Sequence, residues 1–219
     1  MDRITDAFTW PVRDPEWLTK FLIIALFLLI PIVGAINGLG WMLATLDRLR
    51  AGEEAIAPAN LSYIGRGFRL FVVNLAYGLA IVLIAAAIYV PALLIAAGQS
   101  QGSANPALVS LAIVLSLLAF SIATLGTLAL NFALPSIVLA TDRGGIPGGL
   151  RVSSVVRQAR MNVANTLIAG LMLIAAGFVG SLGIVLCGIG VLFTSAYALA
   201  MQAWIIRSFE LGTAAPKAA

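Results

Sequence analysis

Histidine is absent from this chain of 219 residues, cysteine occurs once, and charged residues make up only 10% of it. Without imidazole the chain supplies no His general base, no His metal ligand and no His-ligated haem or chlorophyll. Cys187 has no intrachain disulfide partner, and within Leu186-Cys187-Gly188-Ile189-Gly190 it reads as a buried, inert thiol. Between Phe71 and Thr141 there is no Lys, Arg, Asp, Glu or His. Serine nucleophiles without His need a nearby Lys, yet Lys20 and Lys217 are the only lysines and both lie near the ends. Glu53 and Glu54 are adjacent carboxylates that point apart on a helix, with nothing beside them to complete a site. Gly144 to Gly149 is not followed by the Lys-Ser/Thr of a phosphate loop. No catalytic residue, cofactor site or metal site is therefore expected.

What is present is apolar length. Hydrophobic residues make up 61% of the chain, in stretches that exceed the ~18 residues needed to read as a membrane span. The expected fold is all-α: a polytopic helical membrane protein with about four to six membrane helices and a basic interfacial amphipathic helix. Residues 1–16 read as an N-terminal surface segment, 17–211 as one transmembrane helical domain and 212–219 as a tail. Asp14-Pro15-Glu16-Trp17 has the form of a helix start, with Trp17 at interface depth. The acidic residues before it and the late onset of the apolar run at Phe21 are unlike a secretory signal, so the first helix is expected to be retained.

From Trp17 to Leu46 the apolar stretch contains Pro31, then Gly34 and Gly38 at GxxxG spacing, followed by Gly40. Two shapes fit: one long kinked span, or a re-entrant hairpin. Further spans run from about Phe68 to Ala97 and from about Ala107 to Ala140. The stretch Asn165 to Ile206 would reach ~60 Å as one helix against a ~30 Å hydrocarbon core, so it must turn back, with Gly180-Ser-Leu-Gly183 as the expected hinge. Gly177 and Gly180 join Gly34 and Gly38 as expected helix-packing positions. Val152, Val155, Val156, Ala159 and Val163 recur at helical spacing opposite Arg151, Ser154, Gln158 and Asn162, the pattern of an amphipathic helix at a membrane surface. Arg151, Arg157 and Arg160 are its expected headgroup contacts, with Trp17 as a further interfacial anchor.

The net charge of +4 does not point to nucleic acid, because no basic segment is interleaved with aromatics. Arg48, Arg50, Arg66 and Arg69, then Arg143, Arg151, Arg157 and Arg160, then Arg207 and Lys217 cluster at the ends of apolar stretches. The positive-inside rule assigns these loops and the C-terminus to the cytoplasm, with the protein in the cytoplasmic membrane. A kinked first span places the N-terminus outside; a re-entrant hairpin places it inside. Asn74 and Asn131 are the intramembrane amides that could line a polar path, although such amides also join helices.

Three stretches carry a family resemblance: Phe8-Thr-Trp10-Pro-x-x-Asp14-Pro15-x-Trp17; Gly38-x-Gly40-Trp41 leading to Arg48-x-x-Ala-Gly52-Glu53-Glu54 and Pro58; and Gly67-x-Arg69-x-Phe71 to Tyr77. Together with Leu186 to Gly190 and Phe193-Thr194 to Tyr197, they resemble the uncharacterised prokaryotic multi-pass membrane proteins of the domain-of-unknown-function family numbered four thousand and thirteen. The chain departs from that family at Ala59-Asn60, where an aromatic often follows the connector proline. The resemblance implies an all-helical membrane fold and supplies no activity. The expected function is a non-catalytic accessory or scaffold subunit that packs against other membrane proteins, surrounded by membrane lipids. The alternative is a small permease or lipid-handling protein acting as a homo-oligomer.

Overall fold

A computed structural model describes residues 4–99, 105–185 and 190–213. Of these residues 88% are helical, with no strands among them. Among them, seven α-helices follow short 3-10 turns at Ile4–Phe8 and Trp10–Arg13: α1 (Trp17–Leu28), α2 (Val33–Arg50), α3 (Ile64–Gln99), α4 (Pro106–Leu150), α5 (Val152–Met161), α6 (Val163–Leu182) and α7 (Gly190–Thr213). Three of them, α3, α4 and α6 with its 3-10 extension to Val185, are long and apolar enough to cross a membrane, and α1 is a shorter apolar helix. The chain, read above as one transmembrane domain over 17–211, divides into two compact units, Met1–Val73 with Asn131–Ala219, and Asn74–Leu130.

The first unit is organised around α7. This helix buries Ala196, Ala198, Ala200 and Ala203, whose small side chains let α1, α2 and α6 approach it closely. The N-terminal segment, read above as a surface piece, instead buries Ala7, Trp10, Pro11 and Asp14. Trp10 stacks on Trp204 at 5.3 Å and 24°, and the Tyr197 hydroxyl donates to the Phe8 carbonyl.

Pro31 ends α1. Its ring carries no N–H, and the chain reverses through Ile32, which sits at φ 62, a conformation costly for a β-branched residue. The reversal is complete: the Ile56 amide, just beyond α2, donates to Asp14 Oδ2 at 2.8 Å, and Lys20 Nζ reaches the Ile56 carbonyl at 3.2 Å. The start of α1 therefore lies beside the segment that leaves α2. Of the two shapes compatible with the sequence, the structure adopts the hairpin; at ~1.5 Å per residue, the 12 residues of α1 reach only about 18 Å. Gly52 closes α2 at φ 84, with Glu53 N–H on the Arg48 carbonyl and Gly52 N–H on the Leu49 carbonyl, a Schellman ending.

The polar stretch after Ala140, read above as lying outside the third span, is largely helical. α4 continues through it, bends where Gly145 takes φ 63, and ends at Leu150. Asn162 then caps α6 by accepting from the Asn165 amide. α6 and α7 form the closing pair: α6 runs through Gly180 to Leu182, and Gly183, the last residue of the expected hinge, opens the 3-10 turn that follows, where an added Cβ would lie 2.3 Å from Gly190. Cys187 lies outside the described residues.

The second unit is a pair of arms, residues 74–99 of α3 and 106–130 of α4, each long enough to cross a ~30 Å hydrocarbon core. Gly126 lies against Ile81, where an added Cβ would meet the side chain at 3.0 Å. Outward-facing residues include Leu79, Val82, Leu94, Leu117 and Phe120, the last 71% exposed.

Candidate functional site

Four helix ends in the first unit converge on a cage of opposite charges. The end of α2 contributes Asp47 and Arg50, the start of α3 Arg66, the far part of α4 Asp142 and Arg143, and the end of α7 Arg207 and Glu210. Arg50 is the centre. Its Nη1 donates to Asp142 Oδ2 at 2.7 Å and Asp47 Oδ1 at 3.1 Å, while Nε and Nη2 grip Glu210 in a two-pronged contact at 3.0 and 3.1 Å. Arg66 bridges Asp47 and Asp142, with Nη2 at 2.6 Å from Asp142 Oδ1. Glu210 also accepts from Arg143 at 3.0 Å and Arg207 at 3.1 Å. Three guanidiniums thus occupy the two oxygens of one carboxylate, filling its acceptor capacity of about four lone-pair positions.

Burial alone would raise the Glu210 pKa. Arg50 first, then Arg143 and Arg207, outweigh that cost and hold the carboxyl below its ordinary range. A smaller polar knot pins the N-terminus. Asp14, buried, accepts from Lys20 Nζ at 2.8 Å and from the amides of Glu16 and Ile56. Burial would raise its pKa as well, and the Lys20 ammonium with the two amides brings it below the usual value. Around the knot, Arg48 Nη1 and Trp41 Nε1 donate to the carbonyls of Ile56 and Ala57, stitching the 53–63 connector to α2.

Two cavities border the cage. One of about 220 Å³ is lined by Leu43, Arg66, Arg69, Thr141 and Asp142. The other, about 520 Å³, lies between α5 and the end of α7 and is lined by Arg143, Arg157, Gln158, Met161, Arg207 and Leu211, among others. Among the described residues no group of three or more His, Cys, Asp or Glu side chains could hold a metal ion. The chemistry of the cage is electrostatic fastening: every carboxylate in it faces at least two arginines.

The residues singled out from the sequence have mixed placements. Gly34 lies against Phe27 and Leu28, and Gly38 against the side chains of Leu199 and Leu28, so the GxxxG face is occupied within the chain by α1 and α7. A Cβ added to Gly180 would lie 3.2 Å from that of Ala198. Gly177 makes no close approach: an added Cβ would meet nothing within 4 Å, and the residue stands off the buried stripe of α6 formed by Ala169, Leu173, Ala176 and Gly180. Trp17 is half-buried, edge-on to Phe21 at 5.9 Å and Phe193 at 6.3 Å. Arg151, Arg157 and Arg160 are exposed; of the three, only Arg157 lines the larger cavity. Asn74 falls in the second unit and Asn131 in the first.

Sequence reasoning missed the cage. Its signal was available in the acidic residues that accompany the basic span ends, Asp47, Asp142 and Glu210, but their pairing across 92 and 160 positions was not. The model of a family described as a protein of unknown function (DUF4013) matches residues 23–189, more than half of the chain. No curated protein and no solved structure matches it.

Proposed function

The chain belongs to the DUF4013 family, and from that premise we propose that it is a non-catalytic accessory subunit of the cytoplasmic membrane, which presents its second unit to another membrane protein. One observation carries this reading. The membrane-crossing windows of α3 and α4 are only 6% and 11% buried within the chain, against 28% for the α6 span. The arms leave grooves of about 390 and 310 Å³ in which small residues, among them Ala85, Ala86, Ser116 and Ala123, alternate with larger ones such as Tyr89 and Phe120. Small residues along a lipid-facing groove let another helix approach closely, the usual basis of association within a bilayer. The first unit, by contrast, spends most of its glycines and the charges of its cage on contacts within itself.

The orientation follows the arginines: the cage, the basic connectors and, through the Asp14 to Ile56 contact, the N-terminal segment share the cytoplasmic face. Nucleic acid is no partner in this reading; membrane lipids surround the arms wherever protein does not. The alternative, a lipid-handling homo-oligomer, draws support from the arginine-lined cavity beside α5.

The test is extraction from native membranes into nanodiscs followed by native mass spectrometry, with wild type beside Ala86→Leu, Ala123→Leu, which fills the groove. A foreign membrane subunit at fixed stoichiometry with wild type, lost in the variant, is the expected result. A homo-oligomer in both samples overturns the accessory reading and moves the alternative ahead.

A further inference from the structure

The larger cavity beside the cage holds more positive charge than the chain neutralises. Glu210 is its only carboxylate among the described lining residues, and Arg50, from outside the lining, already grips both of its oxygens. Arg143 spends one N–H on Glu210 and its side chain is 62% exposed. Arg207 likewise donates through Nη1. Arg157 has no hydrogen bond or ion pair to the described residues. Each guanidinium carries five N–H donors, so the three present many unused donors to one space of about 520 Å³. The hydroxyls nearby are engaged, Ser154 on the Arg151 carbonyl and Thr213 on the Phe209 carbonyl, which leaves recognition to the arginines and Gln158.

We propose that this cavity binds the phosphate of an anionic membrane phospholipid, with Arg157 and Arg143 as the principal contacts and Arg207 behind them. A tetrahedral phosphate offers oxygens in several directions and can accept from separate guanidiniums at once, whereas a planar carboxylate satisfies one fork. The lipid, rather than a soluble phosphate, follows from the rim: Met161 and Leu211 line the same cavity at 69% and 58% exposure, apolar surface for acyl chains beside the charged floor. Val152 and Val156 of α5 are exposed as well, which places the site on an amphipathic helix suited to the headgroup layer. The site goes beyond the accessory role and does not depend on it.

The full-length protein in mild detergent micelles is titrated with phosphatidylglycerol and, separately, phosphatidylcholine, and bound lipid is counted by native mass spectrometry. Wild type is expected to hold phosphatidylglycerol about tenfold more tightly: the two lipids share a phosphodiester, but the quaternary ammonium of phosphatidylcholine cancels its charge and meets like charge in the arginines. Arg143→Gln with Arg157→Gln brings the two lipids to within about twofold, as for isolated surface charge. Arg151→Gln with Arg160→Gln removes the same charge outside the cavity and leaves the preference intact. Equal loss in both double variants, or no preference in wild type, overturns the site. Displacement of the lipid by equimolar inorganic phosphate overturns the lipid assignment. Arg157→Gln alone breaks no bond to the described residues; a lost preference with an unchanged melting temperature separates binding from folding. No partner protein enters the assay, so its outcome is independent of the accessory reading.

Discussion

Replacing Asp14 with Asn removes one charge and almost no volume, yet it strikes the contact that closes the N-terminal hairpin. The Asp14 side chain is 1% exposed and that of Lys20 11%. Oδ2 accepts from Lys20 Nζ and the Ile56 amide, Oδ1 from the Glu16 amide, each at 2.8 Å. An asparagine must turn its NH2 toward one of these donors. The cheaper orientation faces Glu16 and forfeits that bond; Lys20 then keeps the amide oxygen as a neutral acceptor, beside the Ile56 carbonyl and the exposed Glu16 carboxylate at 3.5 Å. Breaking one side of a buried ion pair costs about 3–5 kcal/mol; because Lys20 keeps these weaker partners, the low end applies, about 3 kcal/mol. For a chain of this length that corresponds to a fall of about 6–12 °C in melting temperature, followed by tryptophan fluorescence in mild detergent. Glu16→Gln, at 74% side-chain exposure, serves as the control and should change little. In a cycle with Lys20→Met, the double variant should recover about 2 kcal/mol of coupling. A shift under about 2 °C for Asp14→Asn, or coupling below about 0.5 kcal/mol, refutes the account of this knot as the hairpin's fastening.

Gly67→Ala should abolish folded protein, as read by monodisperse yield, because its Cβ would lie 1.8 Å from the Ile36 carbonyl oxygen; Gly65→Ala, with nothing within 4 Å, should purify like wild type. Acid should weaken the first unit in a defined window. Asp14 and Glu210 titrate below their ordinary values of 3.8 and 4.5, so the stability they contribute is full above those values and is lost as pH falls through the depressed folded values. The melting temperature should hold from neutral pH to about 5 and drop below about 4, and in Glu210→Gln the drop should shrink. Cysteines replacing Arg13 and Glu54, whose side-chain ends meet at 3.5 Å, should each be labelled from the same side of sealed vesicles, and the two together should be joined by a bifunctional maleimide that spans the lost side chains, in a Cys187→Ser background. Labelling from opposite sides overturns the hairpin.

The spans were legible because hydropathy is a local property. Residues 71–141 carry no charge, and helices follow wherever backbone polar groups must be satisfied inside the segment. Pro31 marked a break equally well. What it could not mark was the angle, since a kink and a full reversal remove the same hydrogen bond; the choice is made by Asp14 meeting Ile56, a contact 42 residues apart. The glycines were legible as places of close approach, but not what approaches. Gly38 faces Leu199, Gly170 faces Phe132, and Gly177 faces nothing, which only helix phase and tertiary neighbours decide. The cage was hidden for a similar reason. Arg50 and Arg66 look like headgroup contacts until Asp142 and Glu210 are brought beside them.

The hairpin of α1 and α2 rests on α7, and so do the Trp10 to Trp204 stack and the Tyr197 to Phe8 contact. A ribosome makes α1 long before α7. Until the last helix is delivered, Trp10, Phe21, Trp41 and Leu46 have no core to enter, and α1 is too short to wait as an ordinary crossing. The order of synthesis and the order of folding therefore run in opposite directions at the N-terminus. Until Gly190–Thr213 has been made, the earliest helices wait without the surface that closes over them.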